Sequence, residues 1–299
     1  WVQEEFDYFW NSQYAVNLAD FIVNDLNRIS RRIVIGLKDW RENSDEVVPS
    51  AAVEEPVYRK EFGLWEHQKY FVELAFREHK KDGGARFLLA DQVGLGKTLQ
   101  LAMSAKLMAL YGDKPVLIIV PKTLVWQWQD EMKTLLDMPS AVWTGAGWQD
   151  EIGYFYQADS VRSILKCPRR VGIISQGLVS RRTEAADLLT QKDFECVVLD
   201  EAHRARRRNP TKDPNKHKAD PNYLLQFINT ITFKTQSLLL ATATPVQINP
   251  IEAFDLINAL SLPTYKVMGD MYSEWHKRPQ LMLDMVCGKE PYPESEITM

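Results

Sequence analysis

A glycine-rich stretch has the residue types that bind phosphate groups. It runs from Asp91 to Thr98, reads Asp-Gln-Val-Gly-Leu-Gly-Lys-Thr, and lies between the apolar run 87–90 and a helical pattern over 99–111. A strand, a loop and a helix in that order direct backbone N–H groups at one place and favour an anion there. Lys97 would contact the outer phosphates of a nucleotide, and the Thr98 hydroxyl would hold Mg²⁺. The usual pattern, G-x-x-x-x-G-K-[ST], has Gly where this chain has Asp91.

Two adjacent carboxylates follow an apolar run further along the chain. Val197 to Leu199 leads directly into Asp200-Glu201-Ala202-His203. At the end of a strand, Asp200 would take Mg²⁺. Glu201 would orient and deprotonate an attacking water. Taken by itself, this pair could equally be an exposed acidic turn after a strand. The phosphate loop upstream favours a site that binds Mg²⁺ and activates water.

Small hydroxyl residues follow another apolar run. Leu238 to Leu240 leads into Ala241-Thr242-Ala243-Thr244-Pro245. Thr242 and Thr244 can hydrogen-bond to a ligand or to the turn that contains His203. Thr and Pro are ordinary loop residues, so this pattern is informative only beside the other two.

The apolar runs also predict the fold class. Short runs at 116–120, 171–174, 196–199 and 238–240 are separated by helical stretches. Wholly apolar strands of this length are typical of a parallel sheet that is covered on both faces. We therefore expect an α/β protein with a doubly wound parallel sheet, whose ligands bind at the carboxyl ends of the strands.

Composition limits the classes of partner. The chain has 299 residues and a net charge of −4, so a nucleic acid would have to bind a local basic patch. The best candidate is the arginine run 204–208, which a partner protein or solvent could equally cover. Three widely spaced cysteines form no metal pair and favour a reducing compartment. No apolar run approaches the ~20 residues of a membrane span, so no membrane partner is expected.

Together, the three patterns resemble the superfamily 2 helicase-like ATPases, most closely their Swi/Snf-type branch of double-stranded DNA translocases. The first motif of that branch reads D-E-x-G-L-G-K-T, so Asp91 matches it and Gln92 replaces the usual Glu. Asp200 to His203 resembles motif II, and Thr242 to Gln247 resembles motif III. The resemblance implies a RecA-like P-loop lobe with ATP and Mg²⁺ as cofactors. The residues so assigned to nucleotide, metal and hydrolysis are Gln68, Asp91, Gln92, Val93, Gly94, Leu95, Gly96, Lys97, Thr98, Asp200 and Glu201.

The resemblance also implies roles beyond phosphate binding. Leu64 to Gln68 resembles the segment whose Gln reads adenine through its paired donor and acceptor. Val120 to Leu124, followed by Trp126, Trp128 and Glu131, is similar to motif Ia. Either tryptophan could stack on a base, although core packing is favoured. The expected contacts to the DNA backbone are Lys122, Thr123, Ser175, Gln176, Arg204 and Arg206. The residues expected to couple nucleotide state to motif III are His203, Thr242 and Thr244.

The expected organisation has three parts. Residues 1–56 read as a helical N-terminal segment and linker, 57–262 as the RecA-like lobe, and 263–299 as an extension towards a second lobe. The motifs of that second lobe, with their arginine finger, have no counterpart after residue 262. The chain starts at Trp1 and looks like a piece of a longer protein. We expect the isolated lobe to be weakly active or inactive, and the protein to reside in the bacterial cytosol or nucleoid rather than a nucleus.

Other classes of protein stay open. An RNA helicase of the DEAH type shares the Asp-Glu-Ala-His segment, although the Asp91 to Thr98 loop argues against it. A motor subunit of a nuclease or defence complex would add a protein partner to double-stranded DNA. A non-catalytic nucleotide-sensing module is the third possibility, against which the intact Lys97 and Glu201 argue.

Overall fold

The fold is seen in a computed structural model that describes residues 64–212, 217–246 and 249–290. The helical segment and linker expected over 1–56 lie outside the described residues, as does Gln247. None of the helices within the described ranges is long and apolar enough to cross a membrane.

Helices and strands alternate along most of the described chain. The helices are α1 (Glu66–His79), α2 (Lys97–Tyr111), α3 (Val125–Leu136), α4 (Gln176–Ser180), α5 (Glu184–Leu189), α6 (Tyr223–Ile231), α7 (Ile251–Ser261), α8 (Glu274–Lys277) and α9 (Pro279–Val286). The strands are β1 (Arg86–Leu89), β2 (Val116–Val120), β3 (Ala141–Trp143), β4 (Gly147–Asp150), β5 (Phe155–Gln157), β6 (Val171–Ser175), β7 (Phe194–Leu199) and β8 (Thr235–Ala241). Short 3₁₀ turns are Lys122–Leu124, Val161–Leu165, Ala202–Arg204 and Thr232–Lys234.

The strands form one sheet in the order β1-β8-β7-β2-β6-β3-β4-β5. Pairing is parallel from β1 through β3, which confirms the parallel sheet predicted from the apolar runs. Strand β7 is central to the site: Leu199 is in register with Leu240 of β8 and with Ile119 of β2. The carboxyl ends of these strands consequently meet at one edge of the sheet.

One edge of the sheet differs from the sequence-based prediction. Strands β3, β4 and β5 form an antiparallel meander that the apolar runs did not reveal. These strands have only three or four residues, too few for a period-2 pattern to stand out. They are held instead by Trp143 and Trp148, which are buried and pack edge to face with centroids 5.3 Å apart. The sheet is therefore mixed, with a parallel centre.

The core covers both faces of the parallel strands. Every residue of β2 and β7 is buried, as a strand between two helical layers requires. On one face, Leu117, Val197 and Leu238 belong to a cluster with helices α5, α6 and α7. Two further helices cover the sheet: α2 packs on β2 and β7, and α3 packs on β3 and β6. This double layer makes the sheet a rigid support for the loops at its edge.

A buried ion pair fixes the basic loop that follows β7. Arg207 donates from Nε to Asp255 Oδ2 at 2.8 Å and from Nη2 to Oδ1 at 2.5 Å. The two side chains are only 5% and 7% exposed. The loop closes on itself through an antiparallel bridge between Arg207 and Pro221. Arg207 thus anchors its loop to Asp255 on α7. It nevertheless lies within the arginine run 204–208, which the sequence analysis proposed for contact with DNA or a partner.

A second buried polar network lies at the opposite, amino-terminal edge of the sheet. His79, at the end of α1, has Nδ1 2.7 Å from Ser237 Oγ and Nε2 3.1 Å from a carboxylate oxygen of Glu195. Ser237 Oγ also accepts the Ala85 N–H at 2.9 Å. Burial lowers the pKa of His79, although the neighbouring Glu195 works in the opposite direction. The network ties α1 to the first residues of β7 and β8.

We predict that Asp255→Asn lowers the free energy of unfolding by about 3–5 kcal/mol, because it leaves the Arg207 guanidinium buried without its counter-ion. Urea unfolding measures this loss. Asp220→Asn is the matched control, since Asp220 pairs with Arg208 where both side chains are about half exposed, and should cost no more than about 1 kcal/mol. Equal losses in the two variants would contradict a structural role for the buried pair.

We also predict an acid-sensitive contribution from His79. Because its folded pKa lies below the ordinary value of 6.5, the unfolded chain binds this proton more readily, so the free energy of unfolding should fall as pH drops through about 6.5. Unfolding measured between pH 5 and 7 should show a shallower fall in His79→Gln. The control is His276→Gln, on the short helix α8. An unchanged slope in His79→Gln would contradict this assignment.

Candidate functional site

The segments with the predicted site residues converge at the carboxyl edge of the sheet. The Asp91 to Thr98 stretch, here named the glycine loop, follows β1, while Asp200 follows β7 and Thr242 follows β8. Hydrogen bonds extend the pairing beyond the strands: Asp200 N–H donates to Ile119 O and Thr242 N–H to Leu89 O, each at 3.0 Å. The parallel register therefore places the glycine loop, the turn at Thr242 and the turn at Asp200 at the ends of the neighbouring strands β1, β8 and β7.

The glycine loop has the backbone shape that an anion site needs. Gly94 and Gly96 have φ of +88° and +71°, in the left-handed region that favours glycine. Lys97 turns back over the loop, and its Nζ donates to Asp91 O at 2.8 Å and Gln92 O at 3.0 Å. Val93, at the tip, is 84% exposed. The lysine ammonium is thus held at the mouth of an exposed loop.

The amino terminus of α2 lies at the same loop. Gly96 is the N-cap residue, and no side chain of the described residues caps it. The first N–H groups of a helix have no partner within the helix, so an anion placed here would satisfy them. Lys97 and the half-buried Thr98 occupy the first turn. Charge and hydrogen-bond donors therefore coincide at one place.

The rear of the glycine loop is held by side chains. Leu95 O is approached by His67 Nε2 and Gln68 Nε2 at 3.2 Å and by Gln100 Nε2 at 3.3 Å. Gln100 Nε2 also donates to Asp91 Oδ2 at 2.9 Å. Asp91, which stands where the general pattern has Gly, is thereby bonded to α2. The loop conformation does not depend on a ligand alone.

Gln68 is fully buried, and both ends of its amide are used within the protein. Besides its bond to Leu95, its Oε1 accepts the Trp65 N–H at 2.9 Å. Each end of the amide is engaged once, which leaves a second N–H on Nε2 and a second lone pair on Oε1. The role of Gln68 in reading adenine stays a prediction.

Asp200 is held on several sides. Its Oδ1 accepts the Glu201 N–H at 2.8 Å, its Oδ2 accepts the Trp128 indole N–H at 3.1 Å, and its carbonyl accepts Gln176 Nε2 at 2.6 Å. Burial raises the pKa of Asp200, while these carboxylate hydrogen bonds and the nearby Lys97 ammonium oppose the rise. Asp200 is thus held by a backbone N–H, an indole N–H and a side-chain amide from three different segments.

Glu201 and His203 continue the turn after β7. Glu201 has φ of +48°, which is uncommon for a residue with a side chain and costs about 1 kcal/mol. Its carboxylate is about one-third exposed and lies 3.2 Å from His203 Nδ1. The same nitrogen lies 2.9 Å from Thr242 Oγ1. Burial is the main cause that lowers the pKa of His203.

Thr242 joins this turn to the one after β8. Its side chain is fully buried, and its Oγ1 accepts the Thr244 N–H at 3.1 Å in addition to meeting His203. His203, Thr242 and Thr244, predicted as a coupling group, are therefore in contact. That a bound nucleotide alters this contact stays a prediction.

The residues predicted on DNA are placed differently from one another. Lys122 and Thr123 are exposed on the 3₁₀ turn after β2, and Arg204 is exposed after β7. Arg206 is 42% exposed, with Nη1 3.8 Å from Glu252 Oε1. Ser175 is half-buried at the end of β6. These positions are compatible with a backbone contact.

Gln176 differs from the other residues predicted on DNA because it faces inward, and its DNA contact stays a prediction. The sequence analysis placed it on DNA, but its side chain is only 3% exposed and its amide is bonded to the Asp200 carbonyl. The reason is positional: it is the first residue of α4, directly after β6, and turns inward towards the end of β7. In this structure its side chain supports Asp200.

Sequence reasoning also missed supporting residues. It noted Trp128 but favoured a packing role, and it gave no role to Gln100. Helical spacing was the available signal for Trp128, since Trp126 is 48% exposed whereas Trp128 is 1% exposed. No spacing could reveal that its indole N–H meets Asp200, because the partners are 72 positions apart.

Fold and site together define a RecA-like α/β lobe with the glycine loop and a carboxylate pair at the carboxyl edge of its sheet. The SNF2-related domain model matches residues 67–292. The chain belongs to the SNF2-related family.

Relatives and solved structures agree with this assignment. The chain is 27% identical over 69% of its length to the uncharacterized ATP-dependent helicase YqhH of Bacillus subtilis, of which it covers 30%. It is 31% identical over 65% of its length to the RNA polymerase-associated protein RapA of Pectobacterium carotovorum, of which it covers 18%. The SWI2/SNF2 ATPase core of Sulfolobus solfataricus, solved in complex with dsDNA, aligns with a TM-score of 0.53 at 18% identity, over 80% of this chain and 42% of that one. The chain thus spans less than a third of these curated relatives.

We predict that Thr242→Val lowers the free energy of unfolding by about 1–3 kcal/mol, because it removes the hydroxyl that meets His203 and the Thr244 N–H in a buried place. Denaturant unfolding measures the change. Thr242→Ser keeps the hydroxyl and is the control, expected to lose less. A Val variant as stable as the Ser variant would show that the hydroxyl contributes nothing.

Proposed function

We propose that the chain binds ATP with Mg²⁺ at the carboxyl edge of its sheet and hydrolyses it as part of a motor that moves along double-stranded DNA. The observation that carries the proposal is that the glycine loop after β1 and the Asp200–Glu201 pair after β7 lie at the same edge of the sheet, with only the end of β8 between them. Family membership supports use of a nucleotide. The residue roles below are our own assignment.

The residues present fit a phosphate–metal pair. The α2 amino terminus, without a side-chain cap among the described residues, and the Lys97 ammonium supply positive potential. Two carboxylates follow β7 at the same edge of the sheet, and the carboxylate of Asp200 carries one hydrogen bond on each oxygen. A carboxylate offers about four acceptor sites, so room for a cation remains.

The proposed roles follow from these positions. Lys97 leaves its loop carbonyls and binds the β- and γ-phosphates, while Thr98 and Asp200 hold the metal. Bound Mg²⁺ would supply charge neutralisation for the phosphates. Glu201, partly exposed beside the site, accepts a proton from the attacking water. Gln68 would read adenine through the N–H and the lone pair that its two internal bonds leave unused.

The electrostatics of the exposed edge support a nucleic-acid backbone as the track. Lys122 and Arg204 are exposed beside the site. Nearby, the guanidinium groups of Arg182 and Arg208 lie 5.6 and 5.2 Å from the ring centre of Tyr223. Exposed lysine and arginine side chains would contact phosphate groups and not the edges of bases. DNA binding should therefore be independent of base sequence and weaken steeply as the salt concentration rises. The SWI2/SNF2 ATPase core of Sulfolobus solfataricus was itself solved in complex with dsDNA.

A complete motor needs more than this lobe. Phosphoryl transfer in related motors is completed by an arginine supplied from elsewhere. We propose that a second lobe supplies it here, and that a nuclease or another protein partner uses the motion. RapA is described as associated with RNA polymerase, which supports a protein partner for this family in general terms.

We predict that turnover of ATP by the full-length protein rises strongly with duplex DNA, and that Glu201→Gln lowers it by about 10²–10⁴-fold because the proton acceptor is lost. Steady-state phosphate release measures turnover, with double-stranded DNA and single-stranded RNA compared at matched salt. Glu184→Gln, an exposed carboxylate on α5, is the control and should behave as wild type.

The outcomes separate the open classes. Stimulation by RNA but not duplex would overturn the DNA proposal and favour a DEAH-type RNA helicase. Nucleotide binding without turnover would favour a sensing module. Full activity in Glu201→Gln would show that the base has been misassigned.

A further inference from the structure

Asp200 receives a hydrogen bond from only one side chain at its carboxylate, among the residues that the structure describes. That donor is the indole N–H of Trp128, at 3.1 Å from Oδ2. We propose that Trp128 is a positioning residue that holds the Asp200 carboxylate in the orientation that binds the divalent cation. This inference rests on the metal-binding role given to Asp200 above.

Trp128 is built into the core and its only polar atom is committed to this bond. The side chain is 1% exposed, on α3. A buried indole N–H needs a partner, because leaving it unpaired costs about 1–3 kcal/mol. Trp126, two positions earlier, lies about 200° around the helix and is 48% exposed. The chain therefore contains its own matched comparison for a tryptophan on this helix.

The two carboxylate oxygens have separate donors. Glu201 N–H donates to Oδ1 at 2.8 Å, and Trp128 donates to Oδ2. A rotation of the carboxylate about its side chain would break both bonds together. Each oxygen keeps about one further acceptor site, and these sites are the ones available to a cation.

The backbone of Asp200 is fixed independently. Its N–H donates to Ile119 O at 3.0 Å, and its carbonyl accepts Gln176 Nε2 at 2.6 Å. Gln176 therefore restrains the main chain, whereas Trp128 restrains the side chain. Replacing Trp128 should leave the backbone in place and release the carboxylate, which separates its effect from that of Gln176.

The expected consequence is a loss of cation affinity. Residues that orient metal ligands without touching the metal typically contribute 10–100-fold to affinity. We expect Trp128→Phe to raise the Kd for Mn²⁺, measured by electron paramagnetic resonance with a non-hydrolysable ATP analogue present, by about 10-fold. Affinity for the analogue without metal should stay within about twofold of wild type, because Lys97 and the α2 terminus are untouched.

The control variant is Trp126→Phe, which removes an exposed indole from the same helix and should leave the Mn²⁺ Kd unchanged. A second variant preserves packing: benzothienylalanine at position 128 keeps the shape of tryptophan without the N–H. It should show the same loss of Mn²⁺ affinity as Trp128→Phe. Thermal unfolding of each variant checks that the fold persists.

Asp200→Asn separates this inference from the proposed function. If Asp200→Asn keeps the wild-type Mn²⁺ affinity, Asp200 is no metal ligand and both proposals fail. If Asp200→Asn loses affinity while the benzothienylalanine variant binds Mn²⁺ as wild type does, the positioning role of Trp128 is overturned and the metal-binding role of Asp200 stands.

Discussion

The parallel pairing of β8 with β1 on one side and with β7 on the other is the constraint on which the site depends. It puts the ends of these three strands at one edge, where the Thr242 N–H reaches Leu89 O across the gap between β8 and β1. Without that register, the glycine loop and the carboxylate pair would be separate features. Every residue of β2 and β7 is buried, so a shift of one residue would exchange the side chains that pack against the two helical layers and disrupt the close packing of both.

Polar groups at the edge are oriented by neighbouring side chains. Gln100 and Gln68 hold the glycine loop from behind, while Trp128 and Gln176 hold Asp200. An unpaired polar group inside a protein costs free energy. The network therefore favours the one arrangement in which each of these donors has its acceptor. These polar groups consequently have fixed orientations, which is the preorganisation that the proposed catalysis would need.

The amino-terminal edge and the basic loop show how the same lobe is held together away from the site. His79 links α1 to β7 and β8, and Arg207 links the loop after the carboxylate pair to α7. Both links use buried charge or titratable groups, which are costly to break from one side only. The loop with the exposed arginines is thus rooted in the core although its outer residues face solvent.

Residue pattern alone was enough for the α/β class, the central parallel strands, the glycine loop and the carboxylate pair, because each is encoded within a few consecutive residues. Its spacing could not reveal the β3–β5 meander, whose strands are too short to show a period. Nor could the pattern show that Arg207 is buried while Arg204 is exposed, because neighbouring arginines differ only in what the fold places beside them. For the same reason it could not show that the Gln176 side chain points inward. Asp200 and Trp128 meet because parallel strands bring helix α3 over the end of β7, a contact between distant positions that only three-dimensional packing decides.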